Sequence, residues 1–153
     1  MVRSRVLLVL VVCSLFPAVL SAQQGIKFRG SGDWCFGDRY DQMFINTNQE
    51  TVVGQVVSID TVTPFRDMAS GIQFVMRTER EDIIIHLGPA WFILYQDMAL
   101  AVNDKGVEVR GCRTSINGKP VIMASTLVKR DRVLLLRDKD GIPYWCAWRP
   151  KMN

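Results

Sequence analysis

A succession of short apolar runs, each ended by turn-forming residues, fills the sequence from residue 51 onward. Within most of these runs apolar and polar residues alternate, which is the two-residue period of a half-buried β-strand. Asn117-Gly118 falls between two of the runs and is typical of a two-residue hairpin turn. The pattern predicts strands over residues 51–60, 71–78, 82–87, 106–113, 119–128 and 132–136.

One segment interrupts the β pattern. Gly88-Pro89 precedes residues 90–99, where large apolar residues follow one another without alternation. Because proline fits the first turn of a helix, this segment predicts one short helix between the third and fourth strands. A mainly β chain with that order predicts a small five- to six-stranded barrel similar to the oligonucleotide/oligosaccharide-binding (OB) fold. Another small β-barrel or a β-sandwich is the alternative.

The N-terminus has the layout of a secretory signal peptide. Arg3 and Arg5 precede an apolar run over residues 6–20, and small residues follow as far as Ala22. The apolar run is short for a membrane span, so we expect cleavage after Ala22 and a periplasmic or secreted protein. The alternative is an uncleaved segment that anchors the protein in a membrane.

The chain of 153 residues has room for one domain. We predict a signal peptide (1–22), an N-terminal arm (23–50), one β domain (51–148) and a short tail (149–153). The arm contains several glycines and little periodicity, which is typical of a segment that packs on a domain without forming its core.

The charge balance excludes one class of function. The whole chain has a formal net charge of +4, and the loss of Arg3 and Arg5 with the signal peptide lowers this charge to +2. A protein so close to neutrality is not a polybasic nucleic-acid binder. The remaining composition is that of an ordinary globular domain, which argues against a disordered chain and against a multi-span membrane protein.

Three cysteines remain once the signal segment is removed. An odd number in an oxidising compartment allows at most one intramolecular bridge. Cys35 and Cys146 lie in aromatic-rich segments that flank the strands, so we predict that they pair; three buried reduced thiols are the alternative. Alternation places Cys112 on the outward side of its strand. Because free cysteines are usually buried, we predict a bulge or bend at Gly111 that turns Cys112 inward.

The sequence lacks the residue sets of common enzymes and cofactor sites. His86 is the only histidine, and no GxSxG, CxxC or CxxCH motif occurs. Structural zinc sites and Ser-His-Asp triads need more than these residues provide. We therefore predict a protein that is not an enzyme and that holds no cofactor and no metal ion. The alternative is His86 as a single axial ligand for haem, iron or copper.

Two segments carry a resemblance to a known family. Residues 86–92 join a strand to a helix through Gly-Pro and place Trp91 in the first turn. Residues 135–145 end a strand in Arg137-Asp138, turn, and place Trp145 soon after a proline. With the strands between them, these segments resemble the domain of the MamS/MamX magnetosome proteins. The haem-free MamS type is the closer likeness, because the CxxCH motif of the MamX type is absent.

The resemblance implies an exported or magnetosome-membrane accessory domain that is linked to magnetite crystal growth. We expect a non-enzymatic binding module whose partner is a protein of the envelope or of the magnetosome membrane. Peripheral membrane association stays open, and no nucleic acid is expected. A metal- or haem-handling accessory that uses His86 is the second interpretation, and a barrel that binds oligonucleotides or saccharides is the third. The predicted binding residues are His86, Trp91, Arg137, Asp138 and Trp145.

Overall fold

The computed structural model describes residues 32–146. The predictions for the signal segment (1–22) and for the tail (149–153) lie outside the described residues. The same is true of the first part of the predicted arm and of the last two residues of the predicted domain.

Six β-strands and one short α-helix make up the fold, as the alternating pattern predicts. The helix lies between the third and fourth strands, and a short 3-10 helix flanks the strands on either side. In chain order the elements are a 3-10 helix (Asp41–Met43), β1 (Gln49–Val62), β2 (Gly71–Arg77), β3 (Asp82–Pro89), α1 (Ala90–Ile93), β4 (Val107–Ile116), β5 (Lys119–Lys129), β6 (Arg132–Leu135) and a second 3-10 helix (Tyr144–Cys146).

Five of the strands close into a ring. Antiparallel pairing gives the order β3-β2-β1-β4-β5-β6, and an additional pairing of β3 with β5 joins the ends of the first five strands. That closing pair is parallel and short, with residues 84–86 opposite residues 121–123. A ring of five strands with a helix after the third confirms the predicted mainly β, OB-fold-like architecture.

The hairpin between β4 and β5 has the predicted turn. Asn117 and Gly118 have φ angles of 52° and 76°, and a type I′ turn requires such left-handed backbone at both central positions. Asparagine and glycine enter this region at the lowest cost. The turn sets the register of the two strands, beginning with Ile116 opposite Lys119.

The helix α1 is shorter than the apolar segment 90–99 predicts. It ends at Ile93, and Pro89 before it keeps an extended backbone with ψ 137°. Leu94 and Tyr95, which follow, are each 73% exposed, so a longer helix at this place would bury little apolar surface. None of the helices in the described part of the chain is long and apolar enough to cross a membrane.

The core has an inner and an outer part. Inside the ring, apolar side chains from alternate strand positions fill the space, and residues such as Val56, Phe74, Ile85 and Val109 are at most 1% exposed. Burial of each such side chain contributes about 1.5–3 kcal/mol relative to leaving it in water. This inner part holds the ring together.

The outer part of the core covers the outside of β3 and β5. The arm before β1 buries Trp34 and Tyr40 there, and the second 3-10 helix adds Trp145. His86 on β3 and Met123 on β5 face this layer, because the alternate positions on both strands fill the ring. Both residues are buried as a result.

A β-bulge separates β4 from β5 at the step where the sequence predicts one. Arg110 lies opposite Thr126, whereas Gly111 lies opposite Ala124, so Ser125 is the extra residue. The bulge therefore belongs to β5 and not to Gly111. On its other side β4 pairs with β1 without any shift, so the alternation along β4 is not broken.

Cys112 is fully buried, as predicted, but for a different reason. It stays on the outward side of β4, the side of Arg110, and the arm covers it there. The backbone N–H of Ile45 lies 3.4 Å from the Cys112 sulfur, across a separation of 67 residues. The prediction that Cys112 turns into the ring is wrong, because strand alternation gives no information about a distant segment that covers the strand.

Candidate functional site

Two tryptophans fix the ends of the described chain onto the strands. Trp145 donates its indole N–H to the Trp34 carbonyl at 2.6 Å, and Trp34 donates to the Ala69 carbonyl at 2.8 Å. Glycines make room for both rings: a Cβ on Gly71 would lie 2.4 Å from the Trp34 ring, and one on Gly88 would lie 2.8 Å from the Trp145 ring. Trp145, one of the predicted binding residues, is thus a buried packing residue.

His86 belongs to the same buried layer. Its Nδ1 lies 3.2 Å from the Tyr40 hydroxyl oxygen, and the two rings are stacked with centroids 6.0 Å apart. Burial lowers the pKa of His86 to about 4, so its imidazole is neutral at neutral pH. Burial also raises the pKa of Tyr40 above its ordinary value. The two side chains therefore form a hydrogen bond between neutral groups.

Arg137 is a buried cation between the arm and the C-terminal segment. Its Nη1 donates to the Asp41 carboxylate at 2.5 Å and to the Gly141 carbonyl at 2.8 Å. The guanidinium carbon lies 4.1 Å from the Phe44 ring centroid and 5.5 Å from that of Trp145, both within cation–π range. Its side chain is 1% exposed. Removal of Asp41 would leave a buried charge without a counter-ion.

The two other predicted residues have separate surroundings. Asp138 shapes the turn after β6, because its Oδ1 accepts hydrogen bonds from the backbone N–H groups of Asp140 and Ile142, both at 2.9 Å. Trp91 lies half-buried on α1 with its ring edge-on to Phe92, the centroids 6.4 Å apart. The five predicted residues do not form one site. Only Asp138 and Arg137 come together at an open surface.

That surface is a cleft of about 370 Å³ between the arm, the bulge in β5 and the turn after β6. Its volume is in the range of small-ligand sites, which are typically about 300–1,000 Å³. The bulge matters here because it frees Ser125 from regular strand pairing at the edge of the cleft. We call this feature the bulge cleft.

Neutral hydrogen-bonded side chains line one side of the bulge cleft. Ser125 Oγ donates to Gln49 Oε1 at 2.5 Å and lies 3.1 Å from the Arg110 carbonyl oxygen. Gln49 Nε2 donates to the backbone and side-chain oxygens of Asn46, and Asn46 Nδ2 donates to the Lys139 carbonyl at 2.9 Å. These bonds connect the arm, β1, β5 and the last turn, so this side is held in place without a ligand.

Three cations line the bulge cleft, and they differ in whether an anion from outside could pair with them. The charge of Arg137 is already balanced by Asp41. Lys139 pairs with Asp140 at 2.6 Å, but the two side chains are 87% and 59% exposed, so the pair is weak. Arg110 is exposed, and it makes no ion pair or side-chain hydrogen bond within the described part of the chain. Arg110 and Lys139 are therefore available to an anion.

The sequence alone identifies only part of this cleft. Ser125 and Thr126 are missed residues with a local signal, because they interrupt the otherwise apolar run 121–128. Asn46 and Gln49 give no such signal, since their positions depend on the path of the arm. The outward position of Arg110 follows from alternation, but its lack of an acidic partner does not.

The predicted disulfide partners Cys35 and Cys146 lie side by side. The Cys146 sulfur accepts a hydrogen bond at 3.0 Å from the backbone N–H of Phe36, the residue after Cys35. All three cysteines of the described chain are free, so the bridge is not formed here and stays a prediction. Burial, followed by the contact with Cys35, raises the pKa of the Cys146 thiol to about 12.

Three side chains that contain sulfur or an imidazole nitrogen form a row under the arm, one on each of three neighbouring strands. Cys112 on β4 lies opposite Met123 on β5, and Met123 lies opposite His86 on β3. Within residues 32–146 no group of three His, Cys, Asp or Glu side chains is arranged to hold a metal ion. The row is a set of soft donors that the arm shields from solvent.

Comparison with known proteins identifies a family. The sequence profile of the MamS/MamX magnetosome protein family matches residues 48–134. No curated protein and no solved structure matches the chain. The match spans β1 to β5 and most of β6, and the arm and the last turn, which complete the bulge cleft, lie outside it.

Proposed function

The chain belongs to the MamS/MamX magnetosome protein family. From this membership we propose that it is an exported accessory protein without enzymatic activity. It influences magnetite crystal growth by binding a partner protein. The partner belongs to the envelope or to the magnetosome membrane. The bulge cleft and the strand surface next to it form the binding surface.

One observation carries this proposal: the arm leaves part of the outside of the sheet uncovered. This part, formed by β1, β6 and the stretches of β4 and β5 between them, exposes apolar side chains to solvent. Val53 is 52% exposed, Val133 58% and Leu135 50%. Leu135 lies in the cross-strand row of Arg110, and Val53 and Val133 lie in the neighbouring row, which contains Glu108. Exposed apolar side chains close to charged ones are typical of protein interfaces, and we call this surface the open face.

Deletion and complementation in a magnetosome-forming host test the proposal. We expect deletion of the gene to change the size of the magnetite crystals in electron micrographs, and the wild-type gene to restore it. A Val133→Lys/Leu135→Lys variant, made in the same amount, should not restore it, because two charges on the open face oppose burial against a partner.

The matched control is Leu94→Lys/Val102→Lys, which changes two exposed apolar residues outside the open face and should restore normal crystals. Normal crystals after deletion, or full restoration by the open-face variant, would overturn the proposal.

A second function, transient binding of a soft metal ion, is supported by the row of Cys112, Met123 and His86. Thiol, thioether and imidazole groups are the ligands that copper(I) prefers. Titration of the purified protein with copper(I), iron(II) and haem tests it. Equal affinity of the wild type and of His86→Ala for all three would exclude this function.

A further inference from the structure

We infer that the bulge cleft binds a carboxylate group from an acidic segment of the partner protein. The inference rests on the proposed function for the existence of a partner. Its chemistry, however, can be tested on the purified protein alone.

Charge is the first argument for a carboxylate. Arg110 lacks an anionic partner in the described chain, and the exposed pair of Lys139 with Asp140 can exchange its acid for another at little cost. Asp138 subtracts one charge, and Arg137 is offset by Asp41. The charged side chains that line the cleft sum to +2, and Asp41 beside Arg137 lowers this to +1, which matches a single carboxylate better than a doubly charged phosphate.

The shapes of the charged and apolar groups in the cleft also favour a carboxylate. The planar fork of an arginine can donate two parallel hydrogen bonds to the two oxygens of a carboxylate. Leu135 and Tyr144 also line the cleft and are 50% and 43% exposed. They can cover the aliphatic stem of a glutamate or aspartate, whereas inorganic phosphate has no apolar part to place against them.

The position of the cleft is the third argument. Arg110 lies opposite Thr126, and Thr126 lies opposite Leu135, so one cross-strand row joins the cleft to the open face. A partner segment that lies across the open face therefore brings its side chains to Arg110. Protein interfaces commonly combine apolar contacts over a surface with a charged residue that contributes much of the binding energy.

Fluorescence polarisation with a labelled Glu-Ala repeat peptide tests the inference, and a Gln-Ala peptide of the same length is the uncharged control. We expect Arg110→Gln to weaken binding of the Glu-Ala peptide about tenfold and Lys139→Gln to weaken it about threefold. The matched control is Lys119→Gln, an exposed lysine at the start of β5 that lies opposite the last residue of β4, about 20 Å from Arg110 along the strands. It should change the affinity less than twofold.

Each outcome either supports or overturns the inference. Absence of binding, equal binding of the Gln-Ala peptide, or equal effects of Lys119→Gln and Arg110→Gln would overturn it. Glutarate should displace the peptide at lower concentration than inorganic phosphate does, and the reverse order would overturn the choice of a carboxylate. Circular dichroism and thermal unfolding of each variant should match the wild type, because both cleft residues are exposed.

The peptide assay tests the carboxylate site and the complementation experiment tests the proposed function, so a negative result in one leaves the other open to support. If the peptide does not bind but the open-face variant still fails to restore crystals, the proposed function stands without the carboxylate. If the peptide binds as expected and deletion leaves the crystals normal, the cleft serves another role and the proposed function is overturned.

Discussion

The neutral His86 makes the folded state sensitive to acid. Burial lowers its pKa from the ordinary 6.5 to about 4, so between these two pH values the unfolded chain binds a proton that the folded chain does not. Stability therefore rises with pH across this window, and it falls as the pH decreases from about 6.5 towards 4. Over the whole window the effect is on the order of 3 kcal/mol.

A His86→Gln variant removes this titration and keeps a hydrogen-bonding side chain next to Tyr40. Between pH 7 and pH 5 we expect the wild type to lose about 2 kcal/mol more unfolding free energy than the variant, because only the wild type has the histidine. Urea unfolding of both proteins at both pH values measures the difference. Equal losses would show that His86 does not have a lowered pKa.

Gly71 is required by the ring that lies over it, and not by its own backbone. A Cβ there would lie 2.4 Å from the Trp34 ring and 2.8 Å from the Gly88 carbonyl oxygen. We expect Gly71→Ala to lower the unfolding free energy by about 1–3 kcal/mol, because the buried indole has to move. The neighbouring Ser70 is exposed, so Ser70→Ala is a suitable control. Thermal unfolding that does not distinguish the two variants would contradict the expectation.

Among the elements, the turn between β5 and β6 contains an unfavourable conformation. Lys129 lies opposite Arg132, which leaves two residues in the loop, and the first of them, Arg130, has φ 58°. Left-handed backbone costs a residue with a Cβ about 1 kcal/mol relative to glycine.

We therefore expect Arg130→Gly to raise the unfolding free energy by about 1 kcal/mol over that of Arg130→Ala, which removes the same charge but keeps the Cβ. Urea unfolding of both variants gives the comparison. If the two variants are equally stable, the conformation of this turn carries no such cost.

The sequence predicted the strands well, because alternation and turn residues are local signals. All six strands, the Asn117-Gly118 turn and the position of the helix follow from neighbours in the sequence. The length of the helix did not follow, since the exposure of Leu94 depends on what surrounds the segment. The sequence also did not predict that Cys112 is buried on the outward side of β4, because the arm that covers it is distant in the sequence.

The binding site was less predictable than the strands. Arg137 and Asp138 were chosen from a charged pair after a strand, and both line the bulge cleft. His86 and Trp145 belong to the two segments that carry the family resemblance, but both are buried packing residues. The residues that the sequence missed come from the arm and from a bulge, and the pattern of a single strand encodes neither.

At the scale of the whole molecule, Cys35 and Cys146 lie near the two ends of the described chain. A bridge between them would close a loop of more than 100 residues, since the Phe36–Cys146 contact already spans 110 positions. Such a bridge stabilises a small protein by about 2–4 kcal/mol, in large part by restricting the unfolded chain.

We expect oxidised glutathione to convert the two thiols to a disulfide and to be reduced to two molecules of glutathione. The reaction should be slow at neutral pH and faster at higher pH, because burial raises the pKa of Cys146 and the thiolate is the attacking species. Peptide mapping without reductant should then find Cys35 joined to Cys146 and Cys112 free. A bridge that contains Cys112 would contradict the pairing, and Cys35→Ser is the control.

The parallel pair that closes the ring also sets an order of events when the chain is made. β1, β2 and β3 can pair as soon as residue 89 is available, but the free edge of β3 finds its partner only when β5 has formed. Contacts between distant segments slow folding, because the intervening chain must first be ordered. Until then β3 has an unpaired strand edge, which is the kind of edge that joins other chains into aggregates. In the export that we propose, the N-terminal strands would cross the membrane first with this edge open, and we expect them to need protection by a chaperone until β5 has followed.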